Sequence, residues 1–377
     1  MTAAITGRGT ALPGAVEQQA LWDGFFHRHF SASRIAGRVF AGAGVRRRHT
    51  VANPVDEDLS GWSTAARMRR YAHEAQPLGH RAVAAALADA RVAPDAVGLL
   101  TVVSCTGYGT PGVDIQLAAS LGLRPDAQRL LVGHMGCYAA LPALRSVADY
   151  VVARGQTAVL LCLELTSLHV QPPTNEAQQV VSHALFGDAA TALVLQPGPA
   201  PAPAAPRPAL ELVDVTALTD PTTGDHMTWD VTDLGFRMGL SPRVPDVLAQ
   251  HVRPVVKDLL ARHGLDLPDV RAWAVHPGGP RILETVEQGL DLPPHALAAS
   301  RTVLAEHGNC SSATVLLVLD RLLTDGTLDE GGPVVALAFG PGLTLYAALL
   351  SASPAPSGPA GTSRRAGAAP ADLPAAR

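Results

Sequence analysis

The order of parts in residues 97–152 returns in residues 270–324, and a repeat of this length commits the chain to two similar lobes. In the first copy, the apolar run VGLLTVVSC (97–105) reads as a buried strand, followed by a Gly/Pro turn and a helical stretch, GVDIQLAASLGL (112–123). A second strand, RLLVGHM (129–135), leads through Gly136 and Cys137 into a helix that runs to about Val152. In the second copy, VRAWAVH (270–276) reads as a strand and PGGPRILETVEQGL (277–290) as turn plus helix; RTVLAEHGNC (301–310) then carries the chain to a helix at 311–324. Cys105 and Cys137 stand 32 residues apart, His276 and Cys310 34 apart, and both second helices follow a His-x-x-Cys step, His134/Cys137 and His307/Cys310. Each half closes on a related strand pair, built around ALFGDAATALVL (184–195) and ALAFGPGLTLYAAL (336–349).

Strand–helix alternation predicts an α/β fold of mainly parallel sheets covered by helices. A Pro/Ala-rich break, QPGPAPAPAAPRP (196–208), divides a first lobe, residues 1–205, from a second, residues 206–350. Residues 351–377, rich in Ala, Pro, Gly and Ser, read as a disordered tail. The 377 residues are enough for a substantial core. With 47% hydrophobic and 16% charged residues and a net charge of −4, the chain has no signature of a disordered, fibrous or nucleic-acid-binding protein. No apolar run approaches the roughly 18 to 20 residues that cross a bilayer, and the first segment lacks the basic-then-apolar pattern of an export signal, so a cytoplasmic location is expected. Four dispersed cysteines, Cys105, Cys137, Cys162 and Cys310, read as free thiols rather than a disulfide framework.

Pockets in such folds lie at strand ends and between lobes, which singles out Cys105 and Cys137 from one half and His276 and Asn309 from the other. Cys137 follows a strand that turns through Gly136 into a helix, so its sulfur is expected near unpaired amides and the positive end of a dipole, which favours thiolate. An inert core cysteine is the plainer alternative. His276 precedes Pro277-Gly278-Gly279-Pro280, which ends the strand and leaves the imidazole at a pocket mouth, in reach of a thiol. Asn309 reads either as a helix N-cap or as an amide donor beside His276. The two His-x-x-Cys steps sit at junctions of large lobes rather than in a small knuckle, so they are not read as zinc ligands. No phosphate-binding Gly-rich loop and no Gly-x-Ser-x-Gly elbow occurs.

The segments SCTGYGTPGVDIQLAASLGLRP (104–125), GHMGCYAALPALR (133–145), LCLELTSLHVQP (161–172), ALFGDAATA (184–192), VHPGGPRILE (275–284), HGNCSSA (307–313) and AFGPGLT (338–344) resemble type III polyketide synthases, the chalcone/stilbene synthase-like branch of the thiolase superfamily. The resemblance covers nearly all of residues 90–350 and implies a thiolase-like fold, two βα lobes in an α-β-α-β-α layering. It implies Cys137 as the nucleophile that takes an acyl starter from coenzyme A, and His276 with Asn309 as the pair that binds the malonyl thioester carbonyl during decarboxylation. It further implies Phe186 and Phe236 as gating aromatics, and Cys105, Thr166, His169, Ser182, Met227 and Ser311 as pocket-shaping positions. Arg38, with Arg46 of the Arg46-Arg47-Arg48 run, would meet the coenzyme A phosphates; at least two of that run are otherwise expected on the solvated surface. No metal or redox cofactor is implied, only coenzyme A thioesters as substrates, and a homodimer is expected. Cys105, His169 and Met227 depart from the plant chalcone synthase pattern. The whole looks most like bacterial synthases that extend fatty acyl starters to alkylresorcinols or alkylpyrones. The alternatives carried beside this are an initiation ketoacyl synthase fed by a carrier protein and a non-catalytic partner subunit of the same fold.

Overall fold

A computed structural model describes residues 2–198 and 208–354. Its thirteen strands are β1 (Ala3–Ala11), β2 (Gly14–Glu17), β3 (Arg47–Thr50), β4 (Val97–Ser104), β5 (Gln128–Gly133), β6 (Thr157–Glu164), β7 (Ala189–Pro197), β8 (Leu210–Thr219), β9 (Met227–Thr232), β10 (Gly235–Leu240), β11 (Ala272–Val275), β12 (Gly332–Gly340) and β13 (Thr344–Ala352). Nine of them form one sheet in the order β11-β12-β13-β8-β1-β7-β6-β4-β5. The repeat is visible in that order, since β5-β4-β6-β7-β1 in the first half is mirrored by β11-β12-β13-β8 in the second.

The expectation of mainly parallel sheets is corrected here. Only β4–β5, β4–β6 and β11–β12 pair parallel, and every other join in the sheet is antiparallel. Each half closes by folding a strand back on its neighbour: β12 returns as β13 through a Gly-Pro-Gly turn, and β7 returns on β6. The first closing pair thus uses β6 upstream, because residues 177–185 are helical. The second half also has one strand fewer, since residues 298–307 form a helix where the first half has β5.

The halves meet edge to edge through two residue pairs only, Ala4↔Glu211 and Ile5↔Leu210. Packing supplies the rest. Helices Ala140–Arg154 and Ala313–Thr324 fill the space between the half-sheets, with Leu141, Leu144, Val147, Leu316 and Val318 buried in one shared core. The helix Thr64–Ala90 covers the outer face of the first half, with Tyr71, Ala75, Leu78, Ala82 and Ala86 on its buried stripe. Helices Val244–Ala261 and Pro280–Leu290 cover the second half. Five alternating layers result, and both Cys steps open helices of the central one. Those helices begin three residues after Cys137 and Cys310.

Residues 355–377 lie outside the described residues, as do residues 199–207 of the Pro/Ala-rich break; Ser351 and Ala352, assigned by sequence to the tail, instead end β13. No helix among the described residues is long and apolar enough to cross a membrane.

Candidate active site

β5 hands the chain to Cys137 through two left-handed residues, His134 (φ 59°) and Gly136 (φ 80°). A Cβ at Gly136 would stand 2.7 Å from Pro341 Cδ, so both conformation and space require glycine. Pro341 belongs to the Gly340-Pro341-Gly342 turn between β12 and β13, which packs on the Cys137 step from the other half. The corresponding step of the second half also carries two positive-φ residues, at other positions: Gly308 (φ 70°) and Ser311 (φ 48°).

Cys137, His276 and Asn309 line one cavity of about 450 Å³. All three are buried, at 7%, 1% and 2% exposure, while Arg38 and Arg281 on the same cavity are exposed. The cavity therefore runs from two surface guanidiniums to a dry end holding sulfur, imidazole and carboxamide. Its walls are largely apolar, with Val39, Val181, Leu185, Leu240, Val244 and Ile282. Neither Arg38 nor Arg281 has a carboxylate partner among the described residues.

His276 follows β11 and stays anchored to the sheet, its amide donating to Leu337 O at 2.8 Å. Its ring meets Phe339 edge-on at 5.8 Å, and Nδ1 has no partner among the described residues. Burial pushes the imidazole down to about 3, so it is neutral at physiological pH. Asn309 is held at both ends. Its amide donates to Leu185 O at 2.8 Å, its carbonyl accepts from Gly187 N at 3.0 Å, and its Oδ1 accepts from Ser311 N at 2.9 Å. The N-cap position of the following helix is held by Ser312, three residues on, so Asn309 is not its N-cap residue. With Oδ1 occupied, the carboxamide N–H groups remain as donors. Burial pushes the Cys137 thiol up to about 12, opposed by its hydrogen bonds with Ser311 and Asn309. The dipole-driven thiolate expected from sequence is therefore not the resting preference of this site, because desolvation outweighs it.

A small chamber of about 20 Å³ adjoins Cys137 and is lined by Cys105, Thr166, Met227 and Ser311 among others. Cys105 Sγ lies 3.3 Å from Ser311 Oγ, and the buried Glu164 carboxylate accepts from Cys105 N at 3.0 Å, Thr106 Oγ1 at 2.8 Å and Ser312 Oγ at 2.5 Å. Met227 and Ser182 also reach the main cavity, and Phe186 lines both spaces. The Phe186 backbone bridges Asn309, which ties the aromatic to the carboxamide.

Three sequence expectations fall on neither the main cavity nor the small chamber. Phe236 lies outside both, stacked on His169 at 4.5 Å. His169 spends both ring nitrogens on the backbone: Nε2 donates to Thr106 O at 2.7 Å and Nδ1 accepts from Phe236 N at 3.0 Å. Its burial keeps it neutral, pushed down to about 4. Arg46 also lies outside, paired with Glu306 and Glu17. Arg47 shares Glu306, whereas Arg48 is buried. Conversely, sequence reasoning passed over Trp229 and Met238, opposed across the β9–β10 hairpin, which both line the small chamber. Trp229 Nε1 donates to Cys105 O at 2.8 Å. It also passed over Arg281, whose only signal was its place in the first turn after Pro-Gly-Gly-Pro. Among the described residues, no three His, Cys, Asp or Glu side chains gather as metal ligands.

A duplicated five-layer fold with a buried thiol, imidazole and carboxamide at one cavity end defines a protein built for acyl-thioester chemistry. The family model for the N-terminal domain of chalcone and stilbene synthases matches residues 2–199, and that for their C-terminal domain matches residues 211–354; the chain belongs to this family. It is 34% identical over 313 residues to the 1,3,6,8-tetrahydroxynaphthalene synthase of Streptomyces griseus, covering 83% of this chain and 82% of that one. It is 31% identical to the alpha-pyrone synthesis polyketide synthase-like Pks18 of Mycobacterium tuberculosis, covering 82% and 80%. Among solved structures, 1,3,6,8-tetrahydroxynaphthalene synthase from Streptomyces coelicolor superposes with a TM-score of 0.85 at 28% identity, over 92% of this chain and 99% of that one. PKS-I from the brown alga Ectocarpus siliculosus gives 0.84 at 28% identity, over 93% and 98%. The chain is thus a type III polyketide synthase of thiolase-like fold, an acyltransferase that condenses and cyclises iteratively. The family works on acyl-CoA and malonyl-CoA and needs no cofactor beyond these thioesters.

Proposed function

We propose that Cys137 takes an aliphatic acyl group from coenzyme A and that His276 and Asn309 drive its extension by malonyl-CoA, ending in an alkylresorcinol, alkylpyrone or related phenolic product. One observation carries this reading: sulfur, imidazole and carboxamide share the buried end of a cavity whose outer end bears the unpaired Arg38 and Arg281. Those two guanidiniums suit the phosphates of coenzyme A, and the apolar walls suit the pantetheine arm and an aliphatic chain.

The steps follow from the chemistry of the groups. Proton transfer from Cys137 Sγ to His276 creates thiolate and imidazolium together, each stabilising the other in a dry site that penalises either alone. The thiolate adds to the acyl-CoA carbonyl and coenzyme A thiol leaves with the proton. Malonyl-CoA then loses carbon dioxide; the electron pair of the broken C–C bond moves onto the thioester oxygen, which accepts hydrogen bonds from the neutral His276 and from the Asn309 amide. The enolate carbon attacks the acyl-Cys137 carbonyl and expels the thiolate. The lengthened chain, now on coenzyme A, returns to Cys137 for the next round. The names of the two relatives, a tetrahydroxynaphthalene synthase and an alpha-pyrone synthase, support both a phenolic and a pyrone ring closure for this chain.

We also propose a cytoplasmic homodimer. β5 is the outer strand of the sheet, and Leu130 and Leu131 on its two faces are 41% and 46% exposed, an unpaired apolar edge that a second copy would cover. The function is tested by incubating purified protein with hexanoyl-CoA and malonyl-CoA and no carrier protein. Multiply extended cyclic products are expected; a single condensation, or none without a carrier protein, contradicts the proposal.

A further inference from the structure

Two arginines are buried without a salt bridge, and they differ in one respect. Arg67 donates from all three of its guanidinium nitrogens, to the carbonyls of Trp62, Leu168, Leu59 and Ser60. Arg48, 4% exposed, uses only Nη1, which donates to His183 O at 2.6 Å and Phe186 O at 2.7 Å. Its Nε and Nη2 have no partner among the described residues. These two N–H groups form one edge of the guanidinium, the fork that binds two coplanar oxygens.

Arg48 lines a cavity of about 40 Å³ on the far side of Phe186 and Met238 from Cys137. Two more unpartnered polar atoms belong to its walls. Thr50 stands two residues along β3, on the same strand face as Arg48, and its Oγ1 is free. Gln179, 1% exposed, donates through Nε2 to Met238 O at 2.6 Å and leaves Oε1 without a donor. Charged donor, hydroxyl and acceptor thus converge on a space for about three water-sized groups. Ser182, Phe186 and Met238 are common to this cavity and the main one, and Thr166, Phe186, Trp229 and Met238 to this cavity and the small chamber.

We infer that this rear cavity is a subsite for the oxygens of the growing β-polyketone chain: Arg48 grips two oxygens of an enolised 1,3-dicarbonyl and Gln179 Oε1 accepts its enol O–H. The inference rests on the synthase reading above. A 1,3-dicarbonyl holds its two oxygens in one plane, matching the free guanidinium edge, and its enol form carries the donor that Gln179 lacks. A carboxylate would satisfy the arginine but not the glutamine. Aliphatic starter carbons have nothing to gain there, so the subsite acts only once extension has begun and sets how far the chain grows before it closes.

The test is product analysis of the full-length wild type, Thr50→Val and Arg48→Lys with hexanoyl-CoA and malonyl-CoA. The quantity read is the ratio of the longest wild-type product to the product one extension shorter. Both leave the same enzyme, so the ratio cancels any loss of folded protein. It is expected to fall at least tenfold in Arg48→Lys and about threefold in Thr50→Val. An unchanged ratio in both variants, with active wild type, overturns the subsite alone. A wild-type chain that takes no acyl group from hexanoyl-CoA overturns the synthase reading and the subsite with it.

Discussion

Burial sets the chemistry of His276 and Cys137 in opposite directions, and this gives the pair a testable signature. The imidazole is driven down to about 3 and the thiol up to about 12, so neither ionises alone near neutrality. In the proposed mechanism, proton exchange between them is the route to a reactive sulfur at pH 7. In wild type, alkylation of Cys137 by iodoacetamide should persist at neutral pH. In His276→Gln the raised thiol loses its proton only as pH climbs toward the alkaline range, so the alkylation midpoint should move up by more than one unit. Superimposable profiles would show that His276 does not ionise the thiol. In the proposed mechanism Asn309→Ala removes one of two donors to the enolate oxygen, so it should lower kcat by about 10²–10³, some 2.7–4 kcal/mol, with malonyl decarboxylation falling in parallel. Decarboxylation at the wild-type rate would leave Asn309 as a purely structural tie between residues 185 and 311.

At the scale of the element, the turn after β5 decides whether Cys137 reaches the cavity. Gly136 combines a φ of 80° with a 2.7 Å approach of its missing Cβ to Pro341. Gly136→Ala must strain the turn or displace the Gly340-Pro341-Gly342 loop, at a cost of about 1–3 kcal/mol. A lowered Tm with a larger loss of acylation is expected; wild-type Tm and acylation would refute the reading of this turn. The turn and its counterpart were legible because they are local: a glycine, His-x-x-Cys and a helix start lie within a few residues in both halves, led in by strand β5 in the first and by the helix Ala298–His307 in the second. Phe236 lines the rear cavity rather than the main one, and Arg46 lines neither, because their surroundings come from far along the chain. Phe236 stacks on His169, and Arg46 meets Glu306. Trp229 was overlooked for the same reason, since the face that a two-stranded hairpin turns toward the site depends on what it packs against.

For the whole molecule, the duplication pointed to two similar α/β lobes and the family resemblance to the layering, but neither gave the mixed sheet. Antiparallel closure depends on where returning strands dock, and the helix at residues 298–307 replaces a strand the repeat would have supplied. The edge left at β5 gives a prediction at this scale. The full chain should behave as a dimer in light scattering, and Leu130→Glu with Leu131→Glu should give a monomer, because charge on both faces of an edge strand blocks pairing with a second copy. A dimer that persists in the double variant would place the interface elsewhere. The central claim is that Cys137 bears the chain, and intact-mass measurement with peptide mapping after exposure to hexanoyl-CoA tests it most directly. The account predicts one hexanoyl group on the peptide containing Cys137 and none in Cys137→Ala; an adduct on Cys105, or one that survives the substitution, would contradict it.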